Sequence, residues 1–220
     1  CTWFMREFNW GAFYHYDLKI AEAWTLANDA GLVVRGQLGG PMVTVLAAGG
    51  RDYGHYGSMV EVYHDHKWLD AIRTKDVRFV RKGTSGVLTI VAETNENAGR
   101  KCEVTHRLEV SPDSRKVHCE IVAVKNVSER RIYACPRPFG TEAKAVNDAL
   151  TVDHTPNTAA WEYPDGRTLA IRSADAALGG MAFVRDANNW PHADCRFVPS
   201  DRVELDPGEM FVPPSPFRAP

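Results

Sequence analysis

Residues 102–126, CEVTHRLEVSPDSRKVHCEIVAVKN, decide the fold class of this chain. Apolar and polar residues alternate over two segments, 102–110 and 116–126, and the turn-forming sequence SPDSR at 111–115 separates them. Alternation with a period of two is typical of β-strands that bury one face, and a Pro-Asp pair is typical of a tight turn. The stretch therefore predicts an antiparallel β-hairpin.

The same alternation predicts which side chains of this hairpin enter a hydrophobic core. His106 falls on the apolar face of the first strand, so it is interpreted as a core histidine rather than an exposed one. Burying each large aliphatic side chain contributes roughly 1.5–3 kcal/mol to stability. The positions predicted to be buried are Val104, Leu108, Val117, Cys119, Ile121 and Ala123.

Strand patterns also dominate the rest of the chain. Further hairpins are predicted for 19–27 with 32–40, for 76–83 with 86–94, and across the PDG turn at 164–166. The best helical pattern is TEAKAVNDAL, residues 141–150, where Thr141 is a suitable N-cap. These patterns predict an all-β chain, an antiparallel β-sandwich with one short helix, as a single domain over residues 1–220.

Composition excludes several function classes. The 220 residues carry a formal net charge of -2, which argues against a concentrated basic face for nucleic acid. The sequence has no apolar run long enough to predict a membrane-spanning helix. Its five cysteines include no CxxC pair, which excludes the common structural zinc ribbons. Localisation, disulfide state and oligomeric state are left open.

Residues 57–70, GSMVEVYHDHKWLD, carry the densest set of chemically useful side chains. Interpreted as one strand, the segment places His64, His66 and Trp68 on the same face as Val60 and Val62. Two imidazoles beside an indole suit acid/base catalysis, metal binding or sugar stacking. An edge strand with solvated histidines is the alternative interpretation.

Other catalytic and binding candidates lie outside that segment. His55 and Tyr56 precede it and supply further acid/base groups. Arg107, on the polar face of the 102–126 hairpin, either forms a cross-strand ion pair or binds a uronate carboxylate. The predicted catalytic residues are His55, Tyr56, His64, His66 and Arg107. The predicted substrate-binding residues are Trp68, Tyr14, His15, Arg137 and Trp190, which are aromatic or, for Arg137, held between two prolines.

A metal site is an alternative for the two histidines. The spacing from Gly57 through His64-x-His66 to Asp70 approaches the first cupin motif, in which histidines bind a metal inside a jelly roll. The gap after the glycine is one residue too long, and the second cupin motif is absent. The only cofactor that the sequence suggests is therefore a divalent metal at His64 and His66.

Three short motifs resemble the galactose-mutarotase-like family. They are L-x-N at 26–28, Lys-Asn-x-Ser at 125–128, and LDPGE at 205–209. The resemblance implies a supersandwich, two large antiparallel sheets whose concave face binds carbohydrate. The family's aldose-1-epimerase signature around its catalytic His and Glu is not found in a matching order, so the resemblance does not imply sugar mutarotation.

The sequence leaves three functional hypotheses, all with carbohydrate or metal as partner. In the first, a polysaccharide lyase or epimerase-like enzyme uses His/Tyr acid-base chemistry, and an epimerase also needs a carboxylate such as Glu61, Asp65 or Glu142. The second is the cupin-like metal protein, and the third is a non-catalytic glycan-binding module. The site is predicted where His64, His66 and Trp68 have His55 or Arg107 within reach.

Overall fold

Every regular element that the structure describes is a β-strand. The computed structural model describes residues 1–12, 18–39, 45–52, 59–62, 67–137, 151–155, 158–162, 166, 168–172, 181–185, 193–197 and 203–212. All strand pairs in these ranges are antiparallel, so the predicted all-β antiparallel class is confirmed. No helix in the described part of the chain is long and apolar enough to cross a membrane. The helix predicted over 141–150 lies outside the described residues.

One sheet contains five strands in chain order. The predicted hairpin of 19–27 with 32–40 forms its second and third strands, with Ala27 opposite Val33. The strands are β1 (Thr2–Ala12), β2 (Leu18–Asn28), β3 (Leu32–Gln37), β4 (Val45–Ala48) and β5 (Arg51–Asp52).

A second sheet contains eight strands. They are β6 (Met59–Val62), β7 (Lys67–Lys82), β8 (Ser85–Thr94), β9 (Cys102–Val110), β10 (Val117–Asn126), β11 (Ile132–Arg137), β17 (Val203–Leu205) and β18 (Met210–Phe211). Their order across the sheet is β17-β11-β6-β7-β8-β9-β10-β18. The predicted hairpins of 76–83 with 86–94 and of 102–126 are confirmed as β7–β8 and β9–β10, at the centre of this sheet.

Two smaller sheets follow in the second half of the chain. The hairpin predicted around 164–166 is confirmed by the pairing of β13 with β14. The strands are β12 (Thr151–Thr155), β13 (Thr158–Glu162), β14 (Thr168–Arg172), β15 (Met181–Arg185) and β16 (Ala193–Phe197). The assignment of the chain to a single domain stays a prediction.

The two large sheets pack face to face as a sandwich. Burial alternates strictly along β3, β8 and β9, as expected for strands with one face on a core. The rings of Phe4 and Phe79 stack at 5.0 Å, and a Cβ at Gly86 would lie 2.9 Å from the Phe79 ring, so any other residue there would have to displace the ring. The buried core between the sheets contains Trp24, Leu26, Leu32, Val34, Val77, Leu88, Ile90, Ala92, Leu108 and Val110.

The two ends of the eight-stranded sheet are connected to each other. Residues 127–131 link β10 to β11, and residues 206–209 link β17 to β18, although each pair lies at opposite ends of the strand order. Side chains from both ends share a second core, formed by Cys102, Val104, Ile121, Val124, Ile132 and Leu205. The sheet therefore curls around this second core.

The core predicted for the 102–126 hairpin is confirmed up to a β-bulge. Val104, Leu108 and Ile121 are buried, and His106 is fully buried as interpreted. Val117 is partly buried against the core, and the side chain of Cys119 lies outside the described residues.

Ala123 is the exception, and the prediction for it is wrong. The β9–β10 register shifts between Ile121 and Ala123, so the residues after the shift exchange faces. Val124 and Asn126 are consequently buried, whereas Ala123 is only half-buried. A bulge inserts one residue into a strand, so the alternation of buried and exposed positions is reversed beyond it.

The interpretation of residues 57–70 as one strand is also wrong. β6 ends at Val62 and β7 begins at Lys67, and these two residues are opposite each other in an antiparallel pair. The chain therefore reverses its direction between Val62 and Lys67. The face on which Val60 lies consequently does not predict the face on which Trp68 lies. The register partner of Trp68 is Glu61.

Candidate functional site

Three neighbouring strands, β11, β6 and β7, bring predicted binding residues together. Arg137 on β11 is opposite Met59, and Met59 is opposite Asp70 on β7. Two residues along the same register, Glu61 lies between its partners Cys135 and Trp68. Because adjacent strands are spaced about 4.8 Å apart, Trp68 and Arg137 have Cα atoms roughly 12 Å from each other. An arginine, an indole-bearing residue and two carboxylate-bearing residues thus occupy one patch of backbone.

Most of the predicted acid/base residues adjoin this patch in sequence. The segment with His55 and Tyr56 leads directly into β6, and the segment with His64 and His66 connects β6 to β7. The predicted residues outside the described part of the chain are His55, Tyr56, His64, His66, Tyr14, His15 and Trp190. Their roles stay predictions.

Arg107 is held by two carboxylates on the polar face of the eight-stranded sheet. Its Nη2 donates to Glu109 Oε2 at 2.9 Å, and its Nη1 lies 3.5 Å from Glu120 Oε1. Glu120 is its register partner on β10, so the cross-strand ion pair considered from the sequence is present. About a quarter of the Arg107 side chain is exposed. A guanidinium with two carboxylates is already charge-compensated.

Arg107 also lies far from the β11–β6–β7 patch. Its register partner on β8 is Thr89, and the register partner of Thr89 on β7 is Arg78. Trp68 stands ten residues before Arg78 on the same strand, which corresponds to roughly 30 Å of strand. The structure therefore does not bring Arg107 within reach of Trp68. The other residue that was predicted to lie near Trp68, His55, stays a prediction.

A second charge network covers the polar face near the other end of β8 and β9. Lys75 Nζ lies 2.9 Å from Glu103 and 3.7 Å from Glu93, and Lys101 Nζ lies 2.9 Å from Glu93. The hydrogen bond from Lys101 lowers the pKa of Glu93, and the hydrogen bond to Glu103 raises the pKa of Lys75. Both groups stay charged at neutral pH, which suits a solvated ion network rather than a proton-transfer site.

Two titratable groups in the described core, His106 and Cys102, are unsuited to acid/base chemistry at neutral pH. Burial lowers the pKa of His106 to about 3, so its imidazole is neutral. Burial raises the pKa of Cys102 to about 12, so the thiol is protonated and unreactive. The sequence interpretation of His106 as a core residue is confirmed.

No metal centre is found among the described residues. No group of three or more His, Cys, Asp or Glu side chains in that part of the chain could hold an ion. His64 and His66 lie outside it, so the metal at these two histidines stays a prediction.

Two buried asparagines, which the sequence analysis noted only as family motifs, each have three or more side-chain hydrogen bonds. Asn28 Nδ2 donates to the carbonyls of Ser111 (2.7 Å) and Ser114 (2.6 Å), and its Oδ1 accepts from Leu32 N. Asn126 Nδ2 donates to the carbonyls of Arg130 (2.8 Å) and Leu205 (3.0 Å). The motifs L-x-N and N-x-Ser are thus structural clasps, and we call them the Asn28 clasp and the Asn126 clasp.

An open cleft lies beside the Asn126 clasp. It has a volume of about 380 Å³ and is lined by Glu96, Gly99, Lys101, Val127, Ser128, Glu129 and Arg130. Its charged side chains are of both signs, and its lysine is paired with Glu93. The cleft has no convergent set of catalytic groups among the described residues.

Comparisons with known proteins found one similar solved structure. No family model and no curated protein matches the chain. The crystal structure of galactose 1-epimerase from Lactobacillus acidophilus NCFM is similar over 96% of this chain and 96% of that chain, with 12% sequence identity and a TM-score of 0.43. The likeness concerns the fold and assigns neither a family nor an activity.

Proposed function

We propose that this protein binds a glycan at the β11–β6–β7 patch and processes it by His/Tyr acid-base chemistry. The observation that supports the proposal is the register that aligns Arg137, Met59 and Asp70 next to Cys135, Glu61 and Trp68. This register brings residues of three adjacent strands together. They are an arginine suited to a uronate carboxylate, an aromatic residue suited to the face of a sugar, and two carboxylate-bearing residues.

In this proposal Arg137 takes the role that the sequence analysis considered for Arg107. Arg107 is neutralised by Glu109 and Glu120 and lies roughly 30 Å of strand from Trp68. Arg137 stands two strands from Trp68, next to Pro136, whose ring stiffens the backbone.

The reaction that best matches these residue types is β-elimination from a uronic acid polymer. Arg137 binds the C5 carboxylate, a His or Tyr of the 55–66 segment removes the C5 proton, the C4–O bond breaks, and a second group protonates the departing oxygen. An epimerase-like reaction would use a His acid with Glu61 as the carboxylate base. The product distinguishes the two, since only elimination yields an unsaturated uronate.

A glycan array combined with the ultraviolet absorbance of unsaturated uronates tests the proposal. We expect binding to at least one acidic glycan, with loss of binding in Arg137→Ala and Trp68→Ala. Arg78→Ala is the matched control, because this arginine is exposed and lies at the far end of β7. Binding without any product would indicate the non-catalytic module. Absence of both binding and product across acidic and neutral glycans would contradict the proposed function.

A further inference from the structure

Arg73 on β7 is an exposed cation whose guanidinium has no hydrogen bond or ion pair among the described residues. Its register partner on β8 is Glu93. The carboxylate of Glu93 is already engaged by Lys101 at 2.9 Å and by Lys75 at 3.7 Å. The five N–H donors of Arg73 are therefore available to a ligand.

The charges around Arg73 favour an anionic ligand. Lys75 Nζ also lies 2.9 Å from Glu103, so this described network contains three cations and the carboxylates of Glu93 and Glu103. One positive charge is left over, and the contacts assign it to Arg73. The pKa of Glu93 is lowered first by its hydrogen bond from Lys101 and, to a smaller extent, by the charge of Arg73. An exposed positive charge of this kind attracts anions from solution.

The far end of the same polar face has the opposite charge. There Arg107 lies between the carboxylates of Glu109 and Glu120, so two negative charges meet one positive charge. An acidic ligand on this face is therefore favoured at the Arg73 end and disfavoured at the Arg107 end.

A β-bulge puts Arg73 on the same face as the β11–β6–β7 patch. Ala71 is opposite the buried Thr94, whereas Arg73 is opposite Glu93, so one inserted residue separates Ala71 from Arg73. The position of Asp70, next to Ala71, consequently belongs to the face of Glu93 and Arg73. Bulges commonly redirect side chains beside functional sites, which is the arrangement here.

Arg73 also lies close to the patch along that face. It follows Asp70 by three residues of β7, or roughly 10 Å of strand. Asp70 is aligned through Met59 with Arg137, two strands away. The Cα atoms of Arg73 and Arg137 are therefore roughly 14 Å apart. Two arginines at this spacing suit carboxylates on separate units of an acidic chain.

We propose that Arg73 binds a second carboxylate of the glycan, so that the ligand is a chain of uronate units that extends from the β11–β6–β7 patch along β7. The inference rests on the proposed function, because the first carboxylate is the one assigned to Arg137. Arg73 acts in binding and takes no part in proton transfer. The property that it adds is a preference for long acidic chains over single sugars.

Arg73→Gln tests the inference with ligands of increasing length. The probes are monomers, dimers and hexamers of D-galacturonate and of D-mannuronate, with their affinities measured by calorimetry on the whole protein. We expect the variant to bind the better hexamer about fivefold more weakly, the effect of one exposed ion pair, and to bind the monomer like the wild type. Added salt should weaken hexamer binding more in the wild type than in the variant.

Two further variants are matched controls. Arg73→Lys keeps the charge but lacks the planar fork, so it should recover part of the affinity for the hexamer. Arg78 lies on the same strand and the same face, but it is paired with Asp76 at 2.7 Å. Arg78→Gln should therefore bind the hexamer like the wild type. The melting temperatures of the Arg73 variants should equal that of the wild type, because the side chain is exposed.

The outcomes separate this inference from the proposed function. An Arg73→Gln variant that retains full affinity for the hexamer, or that loses affinity equally for monomer and hexamer, would overturn the role of Arg73 and leave the glycan function in place. A neutral glucan hexamer that binds as tightly as the acidic one would overturn it as well. Failure of the wild type to bind any of these probes, together with a blank glycan array, would overturn both.

Discussion

The Asn28 clasp and the Asn126 clasp use the same side chain for different purposes. In both, the amide donates two hydrogen bonds to backbone carbonyls, and the amide oxygen accepts from a nearby backbone N–H. Asn28 connects the five-stranded sheet to the turn of the β9–β10 hairpin, more than 80 residues away. Asn126 instead connects the two ends of the eight-stranded sheet.

The backbone hydrogen bonds around the two asparagines join different segments of the chain. Around Asn126, its own N–H bonds to Glu209 O, Gly208 N bonds to its carbonyl, and Arg131 forms an ion pair with Asp206. Around Asn28, Gly31 N bonds to its carbonyl at 3.2 Å, Asp29 N bonds to Cys1 O at 3.1 Å, and Arg115 Nε donates to Ala30 O at 2.8 Å. The comparison shows that an asparagine motif marks a junction of segments, and that the segments joined can belong to one sheet or to two.

Asn126→Ala should have the largest effect on stability. Four side-chain hydrogen bonds are lost at a fully buried position, at about 1 kcal/mol each, so the free energy of unfolding should fall by about 4 kcal/mol. Urea denaturation measures it. A loss below that of Asn28→Ala would show that the surrounding backbone bonds compensate.

Asn28→Ala should cost about 3 kcal/mol, because three bonds are lost. Since the two clasps share no partner, the double variant should show the sum of the two losses. The same denaturation series tests this. A double variant that loses clearly more or less than the sum would mean that the clasps are coupled through the curled sheet.

His106, a fully buried residue of β9, should make the fold sensitive to acid. Burial lowers the pKa of His106 from 6.5 to about 3, so the unfolded chain binds a proton that the folded chain rejects. Stability is therefore retained above pH 6.5 and is lost, at about 1.4 kcal/mol per pH unit, as the pH falls toward 3.

Denaturation of His106→Gln against pH measures that slope. The variant should lose part of the acid dependence, whereas His118→Gln, on an exposed residue of the adjacent strand, should retain it. Equal slopes in both variants would mean that other groups cause the acid sensitivity.

Replacing the serine beside each clasp with alanine should have a smaller effect on stability, and the effect should differ between the two clasps. Ser128 Oγ donates to Asn126 Oδ1 at 2.5 Å and lies 3.1 Å from Arg130 O, so Ser128→Ala should cost about 1 kcal/mol. Ser114 bonds to Asn28 through its carbonyl, which alanine keeps. Ser114→Ala loses only the exposed hydrogen bond that Ser114 Oγ accepts from Lys116 N, so it should cost less. Thermal denaturation of the pair tests this order.

His66→Ala should have the smallest effect on stability and the largest on function. If the β11–β6–β7 patch is the glycan site, this variant should lose activity or binding while its melting temperature stays within a few degrees of the wild type. Metal analysis of the same preparations tests the alternative. Stoichiometric zinc, iron or manganese that is lost in His64→Ala would favour the metal site.

The sequence was sufficient to predict the fold where turns are explicit and strands have one buried face. Both conditions hold for the β9–β10 hairpin, which was predicted with its core residues Leu108 and Ile121. Alternation alone could not reveal the bulge before Ala123, since an inserted residue leaves the composition unchanged. It also could not reveal the reversal between Val62 and Lys67, because YHDH contains no glycine or proline to mark a turn.

The candidate site was only partly predictable, for a related reason. The chemical types of Trp68 and Arg137 were recognised, but their proximity depends on a register between strands that are far apart in sequence. Arg107 illustrates the opposite case, since its side chain has suitable chemistry but lies far along the sheet from Trp68. Trp24 Nε1 and Thr74 Oγ1 are buried without a hydrogen-bond partner among the described residues, and the sequence gives no signal of this because it is a property of three-dimensional packing.

The short terminal strands of the eight-stranded sheet have a consequence for self-association. An exposed sheet edge is a template on which another chain can add a strand and begin to aggregate. Here the outermost strands are β17 and β18, with three and two residues, and the turn between them places one beside the other. β17 pairs with Ile132–Ala134 of β11, and β18 pairs with Val124 and Lys125 of β10, so these short strands cover the ends of β10 and β11 that meet at the Asn126 clasp. Loosening the Asn126 clasp would expose the longer strands β10 and β11, so its variants should aggregate as well as unfold more readily.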